Sequence, residues 1–300
     1  MISNIDNSSE PQTKEEDRVC APDKMFDNGS CYTMRSLIAI AEAYNKENPN
    51  NIIKLDNSDE TLHPHKYKKY IVKQLKKRLD PKCDSQLCWA SRSFIKNLSR
   101  IDKEEIQKYT FRPIAPEGQF KWLNTLNIDA VMEQYEKKYP DFKFLGTVPM
   151  DFDDFPELKI KDLDFNKLIK NKKTKLGIVF NLDEHKKPGS HWVAMFSDLL
   201  KGQIYYFDSY GTRPEQRVRT FMDRIKEFCK TELGIISPIA DHNRFRHQFE
   251  NSECGVYSIN FIVRMLKGKT FEEICESRVP DRKINKCRLR YFTKMDQNSL

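Results

Sequence analysis

Residues 191–208 read His191-Trp-Val-Ala-Met-Phe-Ser-Asp-Leu-Leu-Lys-Gly-Gln-Ile-Tyr-Tyr-Phe-Asp208. Two short runs rich in apolar, aromatic and β-branched residues, His191 to Phe196 and Gln203 to Phe207, flank a polar break with Lys201-Gly202 at its end. That pattern predicts a β-hairpin. Leu176-Gly-Ile-Val-Phe-Asn-Leu182 before it has the nearly continuous apolar character of a buried strand, and Phe142 to Pro149 is a further short strand. After the hairpin, Pro214 to Leu233 reads as a long amphipathic helix with proline near its first turn. A strand around Pro238 to His247 follows, and Val256, Ile259, Val263 and Leu266 then mark one face of another helix. Strands and helices in this order predict a mixed α+β domain over residues 115–300.

The N-terminal part is different in kind. Residues 1–29 are polar and acid-biased and read as a flexible tail. Met34, Leu37, Ile38, Ala41 and Tyr44 recur at helical spacing, with Ser30 placed as the cap. A second helix, Lys66 to Leu79, has Tyr67, Tyr70, Ile71, Leu75 and Leu79 on one face and seven basic residues on the other. Asp80-Pro81 ends it, and a polar, proline-containing stretch runs to about Pro116. Residues 30–114 therefore read as a mostly helical domain. Trp122 to Tyr139 reads as a helix stopped by Pro140.

Composition narrows the function classes. With 300 residues, 38% of them apolar, the chain can bury a sizeable core, and 32% charged residues imply a polar surface. No window approaches the roughly 18 apolar residues of a membrane span, and Met1 to Gln12 lacks a secretory pattern. Eight cysteines are too dilute for a disulfide scaffold, which predicts reduced thiols. The net charge of +8 favours acidic partners without naming one.

Cys254 lies where Asn251-Ser252-Glu253 gives way to an apolar helix, and a helix N-terminus favours a thiolate. A nucleophilic thiol requires a base and a group that orients it. His191 opens one strand of the hairpin and Asp208 closes the other, so antiparallel pairing brings them to one sheet edge. Gln248, six residues before Cys254, is placed to aim an amide N–H at an oxyanion, and Gly255 is small enough for a substrate backbone to approach. Taken singly these residues are ordinary: a buried cysteine, an edge histidine, a turn aspartate. Their joint type, order and spacing point to catalysis.

Gly189-Ser190-His191-Trp192-Val193-Ala194, Tyr206-Phe207-Asp208-Ser209 and Gln248-x5-Cys254-Gly255 resemble the papain-like clan of SUMO-deconjugating proteases and adenovirus proteinase. The His-to-Asp interval of 17 and the Gln-to-Cys interval of six fit that clan. Trp122-Leu123-Asn124 with Ile128-Asp129 is similar to its Trp-Leu-Asn-Asp segment, but with an insertion that leaves the substrate-gripping role of Asp129 untransferred. Thr125 to Asp129, Cys83-Asp84-Ser85-x2-Cys88 and Ser252-Glu253-Cys254-Gly255 extend the resemblance to the polyprotein-processing proteases of African swine fever virus and giant viruses. The resemblance implies a papain-like core, with Cys254 as nucleophile, His191 as general base and acid, Asp208 as orienting group and Gln248 in the oxyanion hole. It implies Trp192 as a lid over a narrow channel, Trp122 and Gly255 as substrate contacts, and cleavage after Gly-Gly or Gly-x-Gly.

The resulting expectation is a cysteine endopeptidase that trims viral structural polyproteins during virion maturation, in the virus factory of the host cytoplasm and in the virion. One alternative is a deconjugase of SUMO or ubiquitin-like modifiers, another a catalytically idle nucleic-acid-binding virion protein. No metal or organic cofactor is required, although a DNA or peptide activator has a precedent in the clan. Cys20, Cys31, Cys83 and Cys88 with His63 and His65 have poor zinc-site spacing and read as buried or free thiols, and Cys229, Cys275 and Cys287 as packing residues. Basic stretches 66–82 and 278–290 read as solvated helix faces or phosphate contacts.

Overall fold

The computed structural model describes residues 14–118 and 120–293. The chain divides into two compact units, with boundaries between Arg112 and Pro113 and between Phe292 and Thr293.

The first unit holds α1 (Met34–Glu47), α2 (Asn57–Leu62), α3 (Pro64–Leu79), α4 (Gln86–Trp89) and α5 (Arg100–Lys108). Leu37, Ile40, Ile71, Leu75 and Trp89 form its core. Thr33, not Ser30, caps α1 by accepting from the Ser36 N–H, while Ser30 donates to Gln86 Oε1 at 2.6 Å. The expected tail is only partly a tail. Residues 1–13 lie outside the described residues, but Glu15–Arg18 form a 3-10 turn that buries Asp17. The Asp17 carboxylate accepts from the Gln86 backbone N–H at 2.6 Å and lies 3.6 Å from Lys76 Nζ, so it ties the turn to α3 and α4.

The first unit departs from expectation in its cysteines and in its basic helix face. Cys20 is bonded to Cys31 and Cys83 to Cys88, so these four are not free thiols. The folded backbone brings the paired Cα atoms to 5.3 and 5.5 Å, within disulfide range, which the dilute spacing of the cysteines did not convey. Among the described residues, no group of three or more His, Cys, Asp or Glu side chains is arranged to hold a metal. Nor is the basic face of α3 uniformly solvated, since Lys68 is buried and pairs with Asp27.

The second unit begins with α6 (Thr125–Lys138), β1 (Phe142–Val148), α7 (Phe165–Lys170), β2 (Lys175–Asn181), β3 (Trp192–Asp198) and β4 (Gln203–Phe207). It continues with α8 (Gln216–Thr231), β5 (Ile239–His242), α9 (Cys254–Leu266), α10 (Phe271–Glu276), α11 (Asp281–Lys286) and α12 (Arg288–Tyr291). One five-stranded sheet runs β1-β2-β3-β4-β5, antiparallel through the hairpin and parallel at both ends. Gly202, at a φ of +61°, supplies the left-handed residue between β3 and β4 that the hairpin requires.

The two-residue period of β3 explains why the sheet is covered on both sides. Ala194 and Phe196 face α6 and α9, whereas Val193 and Met195 face α8 through Val218, Phe221 and Ile225. Reciprocal capping by Asn124 and Asn127 starts α6 at Thr125, later than the sequence suggested, and leaves Trp122 in a loop. The strand expected to reach His247 ends at His242, and irregular backbone carries the chain to Cys254. No helix among the described residues is long and apolar enough to cross a membrane.

Candidate active site

The hairpin register fixes the first half of the site. Ala194 pairs with Phe207, so His191 and Asp208 emerge at one end of the sheet just beyond β3 and β4. His191 Nε2 lies 2.6 Å from Asp208 Oδ1, and both side chains are buried. The carboxylate also accepts the Tyr210 N–H at 2.8 Å and the Thr212 N–H at 3.3 Å. The Asp208 backbone is clamped by Asn243, which accepts its N–H at 2.8 Å and donates to its C=O at 2.6 Å. On its other flank the imidazole stacks on Tyr210, with ring centroids 4.3 Å apart.

The nucleophile comes from the other face of the sheet. Cys254 is the first residue of α9, and its buried thiol lies close enough to the His191 imidazole to act on its proton affinity. Because Nε2 is taken by Asp208, Nδ1 is the nitrogen left for sulfur. Burial pushes the imidazole pKa down, but the hydrogen bond and charge of Asp208 together with the neighbouring Cys254 sulfur outweigh it and raise it to about 9. The imidazole is therefore held as imidazolium at neutral pH, beside a sulfur carried by the first residue of a helix, where N–H groups lack intrahelical partners.

Gln248 is fully buried and fixed in orientation. Its Oε1 accepts from Ser209 Oγ at 2.7 Å, its Nε2 donates to Glu250 O at 2.8 Å, and its backbone N–H donates to Ser209 O at 2.9 Å. The amide has a second N–H, and the Ser209 bond keeps the nitrogen, not the oxygen, away from Ser209. A buried polar network lies under the nucleophile. Glu253 accepts from Ser252 N and Oγ and from Asn285 Nδ2, while Arg288 donates to Asn285 Oδ1 and Ser252 O. Arg288 therefore does not belong to a solvated basic face, contrary to the expectation for 278–290. It is buried, and desolvation lowers its pKa against the attraction of Glu253 and Cys254.

The expected substrate contacts are only partly of the predicted kind. Trp192 is buried and donates its indole N–H to Leu123 O at 2.8 Å, so it is a pinned wall and not a free lid. Gly255 is also buried. A Cβ there would lie 3.0 Å from Leu123 Cβ and 3.3 Å from Trp192 Cδ1, so its smallness is needed for packing against these two side chains. Trp122 is exposed and lines a cavity of about 950 Å³ with Phe120, Glu250 to Glu253 and the α11 residues Asp281, Arg282, Asn285 and Lys286. Asp129 accepts the Thr147 N–H at 3.0 Å and ties α6 to β1.

Sequence reasoning missed Asn243, Ser209, Tyr210 and the Glu253–Asn285–Arg288 network. Tyr210 was accessible in principle, because extending the β3–β4 register places it opposite His191. The others rest on tertiary contacts with no sequence spacing of their own.

Residues 132–297 match the family described as the Ulp1 protease family, C-terminal catalytic domain. The chain belongs to the Ulp1 protease family. It is accordingly a cysteine-type peptidase. A protein of Acanthamoeba polyphaga mimivirus named as a thiol protease is 35% identical over 282 residues, covering 91% of this chain and 93% of that one. A cysteine protease of African swine fever virus is 27% identical over 256 residues, covering 79% of this chain and 93% of its own. The crystal structure of an African swine fever virus protease superposes with a TM-score of 0.62 at 22% identity, over 92% of this Ulp1-family chain and 96% of the other, and so shares its fold.

Proposed function

We propose that this Ulp1-family peptidase is an endopeptidase of a large DNA virus. It cleaves structural polyprotein precursors after Gly-Gly or Gly-x-Gly sequences, in the virus factory and the virion. The observation that carries this reading is the buried His191–Asp208 pair with Cys254 beside it at the start of α9, in a chain similar over 91% of its length to a viral thiol protease.

In this reading the Cys254 thiolate attacks the scissile carbonyl carbon and forms a C–S bond. The oxyanion accepts from the free Gln248 amide N–H and from backbone N–H at the start of α9. As the C–N bond breaks, the Nδ1 proton of His191 passes to the leaving amine. A water deprotonated by the same nitrogen then attacks the thioester, releasing the acid and restoring the thiol. Asp208 stabilises the charged imidazole throughout, and no metal or organic cofactor enters these steps. The preference for glycine beside the cut follows the resemblance of Gly189–Ala194 and Gln248–Gly255 to the proteases of this clan.

The test is mass spectrometry of viral core precursors incubated with the wild-type protein or with Cys254→Ala. New N-termini after glycine pairs should appear with the first and be absent with the second. Equal cleavage by both would end the assignment of Cys254. Some relatives in African swine fever virus carry the name SUMO-1 cysteine protease, which supports a second reading as a deconjugase. Covalent trapping by a SUMO vinyl sulfone, without cleavage of the precursors, would favour that reading.

A further inference from the structure

Beyond the stacked His191 and Tyr210 the layering continues. The Arg246 guanidinium lies 4.9 Å from the Tyr210 ring centroid and 5.0 Å from that of Phe249, so two aromatic rings hold it, and Tyr210 links it to the imidazole. Its Nε donates to Gln248 O at 2.6 Å, its only hydrogen bond among the described residues. The two terminal nitrogens have no protein acceptor and no carboxylate partner there, although the side chain is exposed. The acids nearest in sequence make no ion pair with it among the described residues. Asp241 pairs with Arg244 at 2.7 Å, and Glu250 lines the cavity beside Trp122.

The holder is rigid. Asp281 accepts the Phe249 and Glu250 N–H groups at 2.8 and 3.0 Å, and Ser209 fixes the Gln248 amide between them and Arg246. Arg278 repeats the motif at lower order, stacked 5.0 Å from the Phe245 centroid with no side-chain hydrogen bond or ion pair among the described residues. A planar guanidinium with an anchored Nε and free terminal donors has the geometry of a carboxylate receptor. Its ordering cost is already met by the stacking.

We propose that Arg246, clamped between Tyr210 and Phe249, is a specificity pocket for an acidic side chain of the polypeptide substrate, within about three residues of the scissile bond. The proposal rests on the endopeptidase reading above and adds to it a substrate class: glycine-containing cleavage sites flanked by aspartate or glutamate. The reach follows from the layering, because Arg246 stands two ring contacts from the imidazole, a span that two or three extended residues cover.

The test uses the full chain and paired peptides that differ only in Glu against Gln at each of the three positions on either side of a Gly-Gly-x cut. The readout is the ratio of kcat/KM within each pair, which cancels any general loss of activity. At one position the wild-type ratio should be about tenfold in favour of Glu, Arg246→Gln should bring it near unity, and Arg246→Glu should reverse it when Lys replaces the acid. Phe249→Ala should reduce the ratio partly. A wild-type ratio near unity at every position, or a preference unchanged in Arg246→Glu, overturns the proposal while leaving the endopeptidase reading intact. Absence of any wild-type cleavage sinks both. Inhibition by duplex DNA that disappears in Arg246→Gln, with no Glu preference, would assign the pocket to phosphate and overturn it as well.

Discussion

His191 carries the charge on which activity depends, and the sign of its pH dependence follows from its surroundings. Its pKa of about 9 means that the imidazolium is lost as pH rises through that value, so the alkaline limb of kcat/KM should fall near pH 9. Removing the Asp208 charge removes a cause of the elevation. Asp208→Asn should therefore move the limb to lower pH and reduce kcat about a thousandfold or more. A limb that stayed in place in this variant would show that Asp208 does not set the imidazole charge. The three residues were legible in the sequence because hairpin pairing is local and a catalytic helix start has a recognisable composition. Gly255 was legible as a glycine but not for its reason, which is the approach of Leu123 and Trp192.

At the scale of elements, the loop from Asn243 to Glu253 carries Arg246, Gln248 and the approach to Cys254, yet it contributes little regular structure. It is fixed by side chains from elsewhere: Asp281 of α11 on Phe249 and Glu250, and Asn285 and Arg288 on Ser252 and Glu253. Arg288→Met leaves the buried Glu253 without its nearby positive charge and Ser252 O without a donor. This should cost about 2–3 kcal/mol of stability and lower the midpoint of urea unfolding. An unchanged midpoint would show that the network is not a support. The sequence concealed this arrangement because its partners lie more than thirty residues apart and carry no period. The same holds for α4 and α5, read as part of a polar stretch. The first is a single turn held by Asp17, and the second buries only Ile106.

At the scale of the whole molecule, stability should fall in mild acid for a reason that lies outside the catalytic centre. His247 is buried, its Nε2 has no hydrogen bond, and burial together with the charges of Arg278 and Arg264 lowers its pKa to about 4. The unfolded chain, with an ordinary histidine, binds more protons than the folded one between pH 6.5 and about 4. The resulting stability is present above that window and is lost as pH falls through it, by about 2 kcal/mol between pH 7 and pH 5. Chemical denaturation at those two values should show the drop, and His247→Phe should lessen it. An equal drop in the variant would place the sensitive group elsewhere. The sheet and the helices α6, α8 and α9 that cover it were legible apart from the start of α6 and the end of β5, since each is a continuous pattern. The extent of the first unit was not, because its edge is set by Asp17 and the Cys20–Cys31 pair instead of by apolar rhythm.

Those two cystines share a chain with a thiol that must stay reduced. A reductant strong enough to rescue oxidised Cys254 also threatens to open the cross-links of the first unit, and an oxidant mild enough to preserve them can still cap the nucleophile. Changing the dithiothreitol concentration in an assay reports on two sets of sulfur atoms at once.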